Sequence, residues 1–153
     1  MNLSPHFTLA EYTISETAAR RGIDNTPREA FVLENLKRMA GVMEEIRALL
    51  GCAIIVSSGY RCLDLNTLLG SKGTSAHVVG LATDFIAPGF GQPYDVCRAI
   101  VPHVQRLGID QLIYEHTWIH VGLRAGEPRH QVMTLAPGNS YVVGIVTKGS
   151  IAA

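Results

Sequence analysis

The stretch TPREAFVLENLKRMAGVMEEIRALLG, Thr26 to Gly51, constrains the fold most. Its apolar residues Val32, Leu36, Met39, Met43, Ile46 and Leu50 recur at helical spacing, so one face of a long helix has to be buried. Thr26 and Glu29 have capping-box spacing, and Pro27 stands where a first helical residue belongs. Gly51 stands where a left-handed terminator belongs. A shorter helix is predicted over ISETAARRG, capped by Ser15 and ended by Gly22. The chain after Gly51 supplies the covering partner. AIIVSS reads as a buried strand, GYRCLDLNTLLG as a turn and short helix, SKGTSAH as a loop, and LATDFIA as a second strand. PYDVCRAIVPHVQRLG predicts a helix from about Pro93 that bends or breaks at Pro102. DQLIYEHTWIHVGL predicts two strands joined by a tight turn near His116 and Thr117. HQVMTL and SYVVGIV predict further strands, and TKGSIAA a mobile tail. Helices first, then strands around one intervening helix, predict an α+β fold with a mostly antiparallel sheet.

The 153 residues fit one domain. It divides into an N-terminal helical segment (about 8–50), a core carrying the candidate site (about 53–124), and C-terminal strands with the tail (125–153). Lys+Arg and Asp+Glu balance at 13 each, so no charge field argues for nucleic acid or an anionic membrane surface. Apolar runs such as CAIIV and QLIY are far too short to span a bilayer. The opening MNLSPHFTLAEY has no basic segment followed by an apolar core. Synthesis in a cytoplasm is therefore expected, with release by another protein if the target lies outside. Cys52, Cys62 and Cys97 match neither a disulfide framework nor a cysteine-based metal pattern. They read as small buried hydrophobes, with a Cys52–Cys62 bridge as the alternative. Oligomeric state leaves no trace in the sequence.

The chemistry centres on SAHVVGLATD, Ser75 to Asp84. In one continuous strand, His77 and Asp84 would lie about 23 Å apart at ~3.3 Å per residue. Metal ligands sit only ~2.0–2.2 Å from an ion. For the two to share one, the chain must fold back, and Gly80 is the residue able to turn. A catalytic metal site needs three protein ligands and an open position. His120 in WIHVG is the best third ligand, on the strand face it shares with Trp118 and opposite Ile119 and Val121. Two imidazoles and one carboxylate leave a Zn2+ site with a net +1 charge, which favours ionised water near neutral pH. Singly, each residue has a structural reading: a hydrogen-bonded core histidine, a strand aspartate acting as acceptor, a tryptophan of the core.

SSGYR (Ser57 to Arg61), SAHVVGLATD and DQLIYEHTWIHVG (Asp110 to Gly122), in this order, resemble the zinc D-Ala-D-Ala carboxypeptidase family. The likeness is strongest to its bacteriophage endolysin and peptidase branch, which shares a metal-binding fold with the hedgehog signalling domain. HFTLAEYTISETAARRGIDNTP looks like that branch too, and the resemblance covers roughly residues 5–124. It implies that His77, Asp84 and His120 bind zinc. It also implies that Arg61 faces the site, holding a substrate carboxylate or stabilising an oxyanion. Many members carry an acidic residue three positions before the last histidine, where this chain has Thr117. Glu115, five before His120, is the candidate general base, with His116 its rival. Ser75, Gln111 and Trp118 are candidates to shape the site or touch substrate, and Asp110 reads as a turn residue. The implied substrate is a peptide stem or cross-link of bacterial peptidoglycan. A zinc-stabilised binding module without activity is the alternative, kept open by Thr117.

Overall fold

The computed structural model describes residues 1–151 and builds them around a six-stranded sheet. The strands are β1 (Ile55–Ser58), β2 (Ala82–Ile86), β3 (Gln111–Tyr114), β4 (Ile119–Gly122), β5 (Gln131–Ala136) and β6 (Ser140–Val143). They lie in the order β1-β2-β4-β3-β5-β6. All neighbours are antiparallel except β3 and β5, which run parallel. The helices are α1 (Leu9–Thr13), α2 (Glu16–Arg21), α3 (Ala30–Leu50), α4 (Leu63–Leu68) and α5 (Pro93–Ile100). The predicted α+β class with a mostly antiparallel sheet is the one adopted.

The apolar stripe of α3 is buried along its whole length, from Val32 to Leu50. It meets Val96, Cys97 and Ile100 of α5 and the inward strand residues Phe85, Leu112, Ile119 and Val121 in one core. Burial of each such side chain contributes roughly 1.5–3 kcal/mol. Because strand side chains alternate, the sheet's other face carries a separate set. The pairing register places Ser58, Asp84, His120, Ile113, Met133 and Val143 side by side in one row across the sheet.

Several local expectations need correction. α3 begins at Ala30, not Pro27, and its cap residue Glu29 makes no side-chain cap bond. The reason is competition: Asp24 Oδ1 accepts from the Thr26 N–H at 3.0 Å, and Asp24 also pairs with Arg28. Residues 24–28 thereby stay outside the helix. α1, too short for periodicity to reveal, is capped by a box between Thr8 and Glu11. β1 is an edge strand, with Ile55 52% exposed, rather than a buried one. All three cysteines are free, and only Cys97 is fully buried. Other expectations match. Ser15 and Gly22 bound α2, and α5 gives way at Ile100 to a 3-10 turn containing Pro102. In the segment expected to be a mobile tail, Lys148–Ser150 form a short 3-10 turn instead. Residues 152 and 153, the end of the expected mobile tail, lie outside the described residues.

Gly80 ends a 3-10 turn over Ala76–Val79 and turns the chain into β2 with φ +76°. A Cβ there would lie 3.0 Å from both Leu36 Cγ and the Val32 carbonyl oxygen of α3. Left-handed geometry costs an L-residue about 1–2 kcal/mol, and the crowding against helix backbone adds to it. Gly80→Ala is therefore expected to lose about 2 kcal/mol or more, lowering the thermal midpoint by at least ~4 °C. Calorimetry or urea unfolding measures this, and an unchanged midpoint would contradict the packing described.

Candidate metal centre

Two strands and one turn bring three donors together. Asp84 on β2 lies directly opposite His120 on β4. His77 sits on the 3-10 turn, and its own N–H donates to the capping Ser75 hydroxyl at 3.3 Å. The His120 Nδ1–H donates to Asp84 Oδ1 at 2.8 Å, and His77 Nε2 lies 3.3 Å from Asp84 Oδ2. One donor atom from each residue lies within 4.8 Å of the others. Ligands in a tetrahedral site at ~2.1 Å from an ion are about 3.4 Å apart, so small side-chain adjustments would let the set hold a metal. Its chemistry fits as well. The His77 Nδ1–H donates to the Gly59 carbonyl at 2.6 Å, which leaves the Nε2 lone pair facing Asp84.

The SGYR loop is bound to this turn reciprocally. While His77 donates to Gly59, the Arg61 N–H donates to the His77 carbonyl at 3.1 Å. Gly59 is required by close approach, since a Cβ there would sit 2.6 Å from the Tyr12 ring and 2.7 Å from its carbonyl oxygen. Arg61 extends into the site. Its Nη2 lies 3.5 Å from Asp84 Oδ2, its Nε donates to Ser58 Oγ at 3.2 Å, and its Nη1 donates to Ser71 Oγ at 3.0 Å.

Sequence reasoning missed the residues that hold this loop. Buried Asn25 donates to the carbonyls of Thr13 (2.9 Å) and Tyr60 (3.0 Å) and accepts from the Cys62 N–H (2.8 Å). Buried Asn66 donates to the Lys72 carbonyl at 2.8 Å and lies against Arg61 Nη1 at 3.5 Å. Asn25 belongs to the quoted GIDNTP stretch, but no local pattern reveals partners 35 and 37 residues away.

The ionisable groups differ in what surrounds them. Burial alone would raise the Asp84 pKa, yet His77, His120 and the hydrogen bonds they make bring it far below the ordinary carboxylate range. Burial lowers the pKa of His77, against the pull of Asp84. In His120 burial also pulls downward, but the hydrogen bond to Asp84 and its charge leave the pKa above the usual histidine value. The Glu115 pKa is raised, first by burial and then by the charge of Asp84.

The other candidate residues fall around this centre. Glu115 follows β3, and His120, Arg61 and His116 all act on its charge. His116 adopts φ +65° in the β3–β4 turn, and its Nε2–H donates to the Leu135 carbonyl at 2.8 Å. His116 Nδ1 and Trp118 Nε1 are buried without partners among the described residues. Ser75 spends its hydroxyl on the turn, and Gln111 donates to Gln131 at 2.9 Å. Asp110 accepts from Arg129.

His77 and His120 must be unprotonated to bind a metal. The raised pKa of His120 means that protons compete already above the ordinary histidine range. Titration of dialysed protein with a divalent ion is expected to show one equivalent bound. Affinity should fall as pH drops toward and below ~6.5, by about tenfold per pH unit for each proton displaced. Asp84→Ala should abolish it. Binding that is indifferent to pH, or that survives Asp84→Ala, would place the ion elsewhere.

A family model described as Peptidase M15 matches residues 5–122, which contain the three donors, Arg61 and Glu115. No curated protein matches the chain.

Proposed function

Since this chain belongs to the peptidase M15 family, we propose that it is a zinc-dependent peptidase acting on peptidoglycan, cleaving an amide bond in a stem peptide or cross-link. The observation carrying this reading is the convergence of His77, Asp84 and His120 on one point, with Arg61 beside them. A zinc ion held there would polarise the scissile carbonyl and lower the pKa of water toward ~7.

The chain's own groups divide the remaining work. Glu115, more basic than an ordinary carboxylate, takes a proton from the attacking water and passes it to the departing amine. His116 is the rival for that transfer: its Nε2–H is held by the Leu135 carbonyl, which leaves Nδ1 as the nitrogen free to accept a proton. Burial lowers the Arg61 pKa, and Asp84 and Glu115 oppose this only in part, but a guanidinium remains cationic even so. It grips a substrate carboxylate or the oxygen on which negative charge develops. Trp118 lies in the β3–β4 turn just before β4, not on the strand as its alternation with His120 suggested, and there it contributes to the wall around the reacting bond. The setting that fits the sequence motifs is an endolysin-type enzyme acting on the cell wall.

Zinc-loaded protein is expected to cut defined wall peptides, with the cleaved bond read from product masses. Glu115→Gln should retain zinc and lose turnover by about 10²–10⁴-fold. Arg61→Ala should lose about 10²-fold or more. Full turnover in Glu115→Gln would move the base assignment to His116. Zinc binding without hydrolysis of any wall peptide would favour a binding module.

A further inference from the structure

The open face of the sheet does not end at the metal centre. Ile113, Met133 and Val143 continue the row of Asp84 and His120 across β3, β5 and β6. Two residues along the strands, and so on the same face, Leu135 pairs with Tyr141, level with the end of β3 where Glu115 follows the last pair Tyr114–Thr134. Ile113 is buried, Met133 and Leu135 are half-buried, and Tyr141 and Val143 are 48% and 90% exposed. The helices α3 and α5 cover the opposite face. Gln111 and Gln131 border the platform on one side, joined by their side-chain hydrogen bond.

We propose that this platform is an extended substrate subsite, and that Tyr141 is the specificity-determining residue on it. The inference rests on the peptidase reading above. Its occupant is an extended peptide lying across the strands, away from Arg61. β4 to β6 is three strand spacings of ~4.8 Å, about 14 Å. An extended chain covers at most ~3.3–3.6 Å per residue, so about four substrate residues separate the reacting bond from Tyr141. The wall therefore selects oligopeptides over dipeptides. Its chemistry suits aliphatic side chains on Met133, Leu135 and Val143, while alternate side chains of the bound peptide point to solvent. The Tyr141 phenol stays protonated, through burial and the charges of Glu115 and Asp84, and donates to a peptide carbonyl. The His116–Leu135 hydrogen bond ties the turn carrying Glu115 to this wall. β5 and β6 lie beyond residues 5–122, so the subsite is built from chain outside the family match.

The test is calorimetric binding to zinc-loaded, full-length Glu115→Gln protein. The probes are the dipeptide D-Ala-D-Ala and the stem pentapeptide L-Ala-D-Glu-L-Lys-D-Ala-D-Ala. Adding Tyr141→Ala should weaken the pentapeptide about tenfold or more and leave the dipeptide within about twofold. Val143→Asp should act in the same direction, and Tyr141→Phe should fall between, isolating the hydroxyl. Equal weakening of both probes, no weakening of the pentapeptide, or a parent protein that does not bind the pentapeptide would overturn the subsite. A dimer that Tyr141→Ala converts to monomer in light scattering would overturn it too, by assigning the face to a second copy. Because the readout is binding, a wild-type protein that binds the pentapeptide in this pattern without hydrolysing it would refute the peptidase reading alone.

Discussion

A buried carboxylate organises this molecule. Asp84 is 8% exposed in the middle of the sheet, where an unpaired charge costs several kcal/mol. Its two oxygens face His77, His120 and Arg61, from three separate stretches of chain. Each partner can reach it only if the backbone behind that partner takes one path. His77 requires the reversal at Gly80, His120 requires the β2–β4 register, and Arg61 requires the loop after β1. The depressed pKa of Asp84 reports how well these partners outweigh the burial.

The surrounding hydrogen bonds show why the first sixty residues are inseparable from the centre. Tyr60 donates its N–H to the Tyr12 carbonyl at 2.7 Å, and Asn25 bridges Thr13, Tyr60 and Cys62. The Tyr12 hydroxyl accepts from Thr83, the neighbour of Asp84. The N-terminal helices thus brace both the loop that presents Arg61 and the strand that presents Asp84. Buried polar groups in such a network are costly to leave unpaired, so the network favours one arrangement of the loop.

What the sequence revealed and what it hid divide by range. The stripe on α3, the terminators Gly22 and Gly51 and the turn at Gly80 were legible because each depends on residues a few positions apart. The start of α3 was misplaced because two local motifs compete for the same residues, and Asp24 prevails over Thr26 as the turn former. β1 has the composition of a buried strand, and only the strand order makes it an edge. Periodicity alone did not join His77, Asp84 and His120. Gly80 made a reversal possible, and the ordered motifs of the family resemblance supplied the grouping. Asn25, Asn66 and Tyr141 acquire their places through partners or registers far along the chain, which residue type does not encode.

The two acidic residues on the open face show how the fold separates chemically similar groups. Asp84 is surrounded by two imidazoles and a guanidinium, so its charged form is held strongly. The Glu115 carboxylate has no hydrogen-bond or ion-pair partner among the described residues, and burial and the charge of Asp84 both favour its protonated form. Their pKa values are driven apart in the directions that the roles proposed for them, ligand and proton carrier, require. The distinction does not come from aspartate against glutamate, whose ordinary values differ by less than about half a unit. It comes from position. Asp84 lies inside the strand pairing, where partners converge, whereas Glu115 lies just beyond the last pair of β3 and β4, where the turn carries it past them. Its distance from His120 along the chain thus matters less than its place at the end of a strand, and Thr117 in the turn leaves that arrangement intact.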